Sequence, residues 1–254
     1  MRQIQPSYTD DVAGLDVGRS TEKHHREGKE AMTTTRATFD RQLAGLKDDV
    51  LILGSMVDKA IARSVDALKR RDRNEAEVII SDDMKINRKR FEIEEKCLLL
   101  LATQQPMASD LRVIAAAMHI ITDLERMADH AEGIAKINLM LGEEPLIKPL
   151  VDIPLMADKA REMLRRSLDA FVARDVEGAK LLASEDDQVD ALYDRVYRDL
   201  LRIMIDDPNT ITRATYLLWV AHNLERIADR VTNICERVVF MVTGQMEETN
   251  VSKY

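Results

Sequence analysis

The sequence predicts an all-α protein, two tandem three-helix bundles related by internal duplication, and three observations carry that prediction. Composition is the first. Charged residues make up 32% of the 254-residue chain and hydrophobic ones 45%, while aromatics are only 4% and Gly and Pro number 9 and 6. Long amphipathic helices filled by Leu, Ile, Val, Met and Ala have this profile, whereas sheets draw on more aromatic and turn residues. The second observation is an apolar period of three to four residues, and the third is a series of residue matches between the halves of the chain.

Residues 1–31 are polar, contain Pro6, Gly14, Gly18 and Gly28, and show no helical period. They cannot bury enough to offset their ordering entropy, so a disordered or extended segment is expected there. The first bundle is placed at 32–144. Phe39, Leu43, Leu46, Val50, Leu53, Val57, Ile61, Val65 and Leu68 mark a helix over about 35–71. Val78, Ile86, Ile93, Cys97 and Leu101 mark a second over about 74–103. Pro106 suits the first turn of a third helix, where a missing amide proton costs nothing, and Gly142 suits its carboxyl cap.

Pro145, Pro149 and Pro154 crowd residues 145–154, which read as a linker because proline breaks a helix interior. The second bundle follows at 155–243, with helices over about 155–173, 176–205 and 210–242. Pro208 precedes the last helix, Gly244 ends it, and 244–254 form a tail. Short connections between long helices make antiparallel neighbours, hence bundles.

The duplication is visible residue by residue. Asp58, Lys59 and Ala60 match Asp158, Lys159 and Ala160 at an offset of 100. Arg71 and Asp72 match Arg174 and Asp175 at 103, as Ser81 and Asp83 match Ser184 and Asp186. Leu124, Glu125, Arg126, Ala128, Asp129 and Ile134 match Leu224, Glu225, Arg226, Ala228, Asp229 and Ile234, again at 100. One change of three residues near the helix junctions aligns all six helices.

The formal net charge of -8, from 45 acidic and 37 basic residues, argues against nucleic acid as a partner, because phosphate binders carry a basic excess. The local cluster of Lys85, Arg88, Lys89 and Arg90 reads as a solvated helix face alternating with acids. Cys97 and Cys235 lie inside apolar patterns without a second ligand at short spacing, so both read as small buried hydrophobes in a reducing compartment. No apolar run approaches the roughly 20 residues that span a bilayer, and no secretory leader is visible. The expected location is cytoplasmic, at most peripheral at the inner face of the membrane through protein partners, with no transmembrane insertion.

Chemistry concentrates in an acidic constellation. Glu125 and Asp129 are four apart and share one helical face, at the edge of a stripe through Ile114, Met118, Ile121, Leu124, Ala128, Ala131 and Ala135. Asp83 and Asn87 have the same spacing on the second helix. The other bundle repeats the set as Glu225 and Asp229 with Asp186 and Asp190. Each bundle thus offers four oxygen-bearing side chains, suited to iron, manganese, magnesium or calcium. Like charges at this spacing repel, so a cation or an arginine must compensate. Arg126 and Arg226 are the available arginines, each one position off the acidic face, and interhelical salt bridges are the alternative to metal.

Other catalytic signatures are missing from the sequence. His130 and His222 flank the two segments at non-equivalent places, and His119 reads as a core-edge or solvated side chain. The Glu-x-x-His pairs of di-iron bundles are absent, as are a Gly-rich phosphate cradle and a zincin motif. Asp110 and Arg112 read as capping residues near Pro106.

Three segments resemble the PhoU family of phosphate-transport accessory proteins: Leu-Ala-Thr-Gln-Gln-Pro-Met-Ala-Ser-Asp-Leu-Arg at 101–112, Asp-Leu-Glu-Arg-Met-Ala-Asp-His-Ala at 123–131 and Asn-Leu-Glu-Arg-Ile-Ala-Asp-Arg-Val at 223–231. The resemblance spans nearly all of 33–243. It implies two tandem three-helix bundles that dimerise and bind metal on acidic pairs, iron first, with zinc, manganese, magnesium, nickel or calcium as other ions. It also implies a non-enzymatic adaptor that represses the phosphate-starvation response by linking the ATPase subunit of the high-affinity phosphate ABC transporter to a membrane sensor histidine kinase. On that resemblance Glu125, Asp129, Glu225 and Asp229 are the acidic pairs, and Asp83, Asn87, Asp186 and Asp190 their helix-two companions. The chain departs from the family where Asn87 replaces a charge that Asp190 keeps, where Ala128 and Ala228 replace a glycine, and in the first 31 residues. A metal-dependent phosphohydrolase and a metal-free structural adaptor are the competing readings.

Overall fold

The protein, studied as a computed structural model, is described over residues 17–247, with side chains from Arg36 onward. Its helices are α1 (Val17–Arg70), α2 (Arg73–Gln104), α3 (Ala108–Met140), α4 (Asp152–Ala173), α5 (Val176–Ala183), α6 (Asp186–Asp206) and α7 (Ile211–Thr243). A 3₁₀ turn, Pro208–Thr210, leads into α7. Among the described residues no helix is long and apolar enough to cross a membrane. The described residues divide between Gln42 and Leu43 into two units. In the first unit, Arg36 pairs with Asp40 at 3.0 Å and lies over the Phe39 ring.

Helix α1 starts at Val17 rather than near Thr35, so residues 17–31 are helical where an extended or disordered segment was expected. The first 16 residues, and the end of the tail from 248, lie outside the described residues. Extension of an existing helix adds a hydrogen bond for each residue fixed and avoids the cost of nucleation, so Glu- and Lys-bearing residues join without an apolar stripe. From Leu43 onward the predicted stripe is the buried one: Leu43, Leu46, Val50, Leu53, Val57, Ile61, Val65 and Leu68.

Two turns show what the repeat encodes. Arg71 and Arg174 adopt left-handed backbone, with φ of 59° and 57°. The aspartate after each caps the next helix, Asp72 accepting from the Glu75 amide and Asp175 from the Gly178 amide, both at 2.9 Å. The register of these helices corrects one match. Ser64 and Ser167 are both buried and donate to the carbonyls of Ile61 and Leu164, three residues back. They hold an offset of 103 along α1 and α4, and an unbroken helix cannot absorb three residues, so Asp58-Lys59-Ala60 is not equivalent to Asp158-Lys159-Ala160. The change to 100 falls at the α2–α3 connection, where Gln105, Pro106 and Met107 stand before α3 and only Asp207 stands between α6 and the turn into α7.

Pro106 therefore precedes α3 instead of lying in its first turn, while Pro154 lies in the first turn of α4 and not in the linker. A proline amide is dispensable at either place. The single helix expected over 176–205 is broken between α5 and α6. Ser184 Oγ donates to the Leu181 carbonyl at 2.7 Å, competing with the backbone ladder. Beside it, Glu185 is drawn to Lys159 and Arg166. Gly142 and Gly244 end α3 and α7 with φ of 64° and 77°, as predicted.

The two bundles meet along α3 and α7, so each third helix buries residues on two sides. Polar contacts repeat across this seam. Asp123 accepts from Arg230 at 3.4 Å and from Asn233 at 3.1 Å. At the equivalent places, Asn223 meets His130 at 2.9 Å and abuts Gly133, where a Cβ would come within 3.2 Å of its Oδ1. A second tie joins α1 to α4: Arg161 grips Asp58 through two hydrogen bonds of 2.9 and 3.0 Å, and Arg165 adds a third contact. The chain between the bundles is held to the second one by Lys148 to Asp199 at 2.9 Å and Arg213 to Glu144 at 3.1 Å.

Candidate functional site: two carboxylate clusters

Each bundle places its acidic residues between its second and third helical positions. In the second bundle, α6 begins at Asp186, so the break after α5 sets this residue at a helix start, with Asp190 one turn on. Asp186 is buried, and α7 brings Glu225 and Asp229 against the same region. Burial, and then the charges of Asp190, Asp229 and Glu225, push the Asp186 carboxyl up to about 7. Burial and then Asp229 push Glu225 up to about 7 as well, against the opposing pull of Arg226. Glu225 Oε2 is buried and accepts no hydrogen bond, with His222 Nδ1 at 3.4 Å. Beside it opens a groove of about 360 Å³ lined by Asp190, Tyr193, Asp194, Tyr197, His222 and Glu225.

The first bundle holds the equivalent cluster on an unbroken α2. Asp83 is pushed up to about 6, by burial first and then by the charges of Glu132, Asp129 and Glu125. Asn87 donates to Asp83 Oδ2 at 2.7 Å, so it acts as a partner of the carboxylate rather than as a fourth charge. That fourth charge comes from Glu132, two turns beyond Glu125 on α3, which also pairs with Lys136. The sequence carried the signal, since Glu125, Asp129 and Glu132 recur at helical spacing; a strict comparison of repeats hid it, because the equivalent residue is Thr232.

The arginines of the repeated segment do reach the acidic face. Arg126 lies 3.3 Å from Asp129 and 3.6 Å from Glu125, and Arg226 pairs with Asp229. These contacts are within one helix, not interhelical bridges. They cover the outer carboxylates and leave the inner ones, Asp83, Asp186 and Glu225, with raised affinity for protons. Among the described residues no three His, Cys, Asp or Glu side chains converge as a ready set of metal ligands. The donor chemistry is still mainly that of a hard cation, carboxylate oxygens with an excess of negative charge, although His222 adds a ring nitrogen beside Glu225 in the second cluster.

The remaining residues have structural places. His130 belongs to the seam, and His119 is exposed. Arg112 donates to the Met241 carbonyl at 3.2 Å, tying the start of α3 to the last turn of α7. Cys97 and Cys235 are buried, and burial pushes both thiols up to about 12, away from the reactive thiolate. Lys85 and Lys89 pair with Asp82 and Asp49, and Arg90 with Glu94, so that stretch is no open cationic patch.

Fold and clusters together define a duplicated helical-bundle protein whose polar chemistry is a pair of buried-edge carboxylate sites. The family model for the PhoU domain matches this chain twice, over residues 50–137 and 153–238. The phosphate-specific transport system accessory protein PhoU homolog of Clostridium acetobutylicum is 41% identical over 217 residues, covering 85% of this chain and 99% of that protein. Its counterpart in Zymomonas mobilis is 37% identical, over 86% of this chain and 93% of its own. The crystal structure of the phosphate transport system regulatory protein PhoU from Streptococcus pneumoniae superposes with a TM-score of 0.77 at 36% identity, covering 82% of this chain and 99% of its own. PhoU from Pseudomonas aeruginosa gives 0.77 at 33% identity, over 82% of this chain and all of that one. The chain belongs to the PhoU family, and with it to the non-catalytic regulators of phosphate homeostasis.

Proposed function

We propose that this regulator works as an adaptor. It holds the phosphate-starvation response off by coupling the ATPase subunit of a phosphate ABC transporter to a membrane sensor histidine kinase, pairs with a second copy of itself, and takes up cations on its two carboxylate clusters. Support for the phosphate role comes from family membership and from the phosphate-transport names of the relatives. Support for the cations comes from one observation above all. Asp186 and Glu225 are two carboxyls held largely out of water beside further carboxylates, and Arg226, whose charge opposes the rise at Glu225, is engaged with Asp229.

Asp186, Asp190, Glu225 and Asp229 would hold one cation, and Asp83, Glu125 and Asp129, with Asn87 and Glu132, another. Iron is the first choice and zinc, manganese, magnesium, nickel or calcium the others. A bound cation supplies positive charge that relieves the repulsion within a cluster. The chain's own contribution is to gather oxygens from two helices and exclude most of the water around them. A cation that bridges two helices stabilises one helix packing over another, and so gives partner proteins a surface that depends on the ion.

Two measurements test this reading. In a strain that lacks the gene and any second copy, phosphate-starvation genes should stay on in high phosphate; continued full repression overturns the regulatory role. Protein purified gently without chelator should carry stoichiometric metal that falls by at least half in Asp186→Asn with Glu225→Gln. Metal-free protein of full regulatory activity would establish the metal-free adaptor instead. Pull-down of the ATPase subunit and of the kinase tests the two partners separately.

A further inference from the structure

The outer face of α2 carries an apolar stripe that the equivalent helix of the second bundle keeps only in part. Met84, Phe91 and Leu98 are 69%, 60% and 53% exposed and follow one another at seven residues. Arg88 and Glu95, also exposed, lie between them. At 100° per residue all five fall within a stripe about 80° wide and about 21 Å long. The residues of α6 in register with Met84 and Phe91 are Asp187 and Asp194, and only Leu98 has an apolar counterpart, Leu201, so duplication alone does not produce the stripe. Phe91 is held in place on the surface by Arg90, whose guanidinium lies 4.7 Å from the ring centroid while pairing with Glu94 at 3.2 Å.

The charge pattern inverts at Phe91. On the stripe Arg88 precedes it and Glu95 follows it; of the flanking charges, Lys85, Lys89 and Arg90 precede it and Glu92 and Glu94 follow it, while Lys96 breaks the pattern and is engaged with Asp49. We infer that this face pairs with the same face of a second copy, antiparallel, about a two-fold axis through Phe91. That arrangement sets Met84 against the partner subunit's Leu98, Phe91 against the partner subunit's Phe91, and Arg88 beside the partner subunit's Glu95. The apolar positions match because they lie seven residues on either side of the axis. The charged ones match because opposite signs lie three before it and four after it. A parallel pairing would instead bring Arg88 against its own copy. A surface that is its own complement, in shape period and in charge, is what an isologous contact requires, and helices packed at about 20° stay in contact over such a length.

The inference rests on the proposed self-pairing and assigns it a surface. The full chain is to be followed by sedimentation over a concentration series. The wild type should dimerise, with Phe91→Glu weakening association at least about tenfold. Arg88→Glu should weaken it too, and Arg88→Glu combined with Glu95→Arg should restore it, while far-UV dichroism stays that of the wild type. Phe91→Cys should give a disulfide-linked dimer on mild oxidation, since the native cysteines are buried. A dimer indifferent to Phe91→Glu, or unrestored by the double charge reversal, overturns this surface and leaves self-pairing standing. A chain that stays monomeric up to about 0.1 mM overturns both.

Discussion

The two bundles of this protein share a scaffold and differ in nearly everything laid upon it. Both turn from first to second helix through a left-handed arginine followed by a capping aspartate, and both pair an arginine of the first helix with an acid of the second, Arg63 with Asp82 and Arg166 with Glu185. The clusters are built differently. The second gathers Asp186, Asp190, Glu225 and Asp229 around a broken helix, whereas the first replaces the charge at Asn87 with Glu132 from α3. Outer faces diverge as well, with Met84 and Phe91 on one side and Asp187 and Asp194 on the other. Duplication preserves what fixes helix ends and close packing, because those errors are costly; it leaves free the residues that only need the right total charge.

The largest expected effect separates the clusters by pH. Asp186 and Glu225 bind protons more tightly folded than unfolded, so their contribution to stability is complete below about pH 4 and is lost as pH rises toward and through 7. In chelator, denaturant unfolding should show stability falling over that window by on the order of 2–4 kcal/mol for the pair. Asp186→Asn with Glu225→Gln should flatten most of the fall. Asp83→Asn should remove a smaller part, at its lower end, because Asp83 titrates near 6. An unchanged slope in the double variant would mean that the second cluster does not carry this strain.

Next in size is the tie between bundles. Asp58→Ala strands Arg161 and Arg165 at a partly buried site and should cost about 2 kcal/mol in urea unfolding at neutral pH. A loss below about 0.5 kcal/mol would class the contact with ordinary surface pairs.

The smallest effects test the exchange of Asn87 for Glu132. Glu132→Gln should lower the titration midpoint of the Asp83 carboxyl carbon, followed by NMR, from about 6 toward its ordinary 3.8. Thr232→Ala should leave Asp186 where it is. Asn87→Asp should raise the Asp83 midpoint, at a cost to metal-free stability of under about 1 kcal/mol. If Glu132→Gln leaves Asp83 unmoved, the first cluster is one charge short of the second, as the repeat comparison alone implied.

Much of this architecture was legible in the residues. The buried stripe from Leu43 to Leu68, the helix ends at Gly142 and Gly244, and the acidic pairs on both third helices all follow from period and spacing. Less legible were the features that depend on a neighbour. Arg126 and Arg226 lie one position off the acidic face, but residues three apart are neighbours on a helix surface, so their long side chains reach Asp129 and Asp229. Asp123 and Asn223 look like mere prefixes to the repeated motif and prove to be the polar contacts of the seam.

Sequence by itself determined most of the helices, the fact of the duplication, the family and the identity of most acidic residues, because each is written in local spacing that needs no partner. It did not determine the start of α1, the break between α5 and α6 or the register of the first repeated match. Tertiary structure decided that the bundles join along α3 and α7, that Glu132 completes the first cluster, and that Asp83, Asp186 and Glu225 are the strained carboxyls. Those outcomes turn on burial and on charges from other helices. A carboxylate's cost is set by the water it loses and the neighbours it gains, and neither is recorded in the order of residues along one chain.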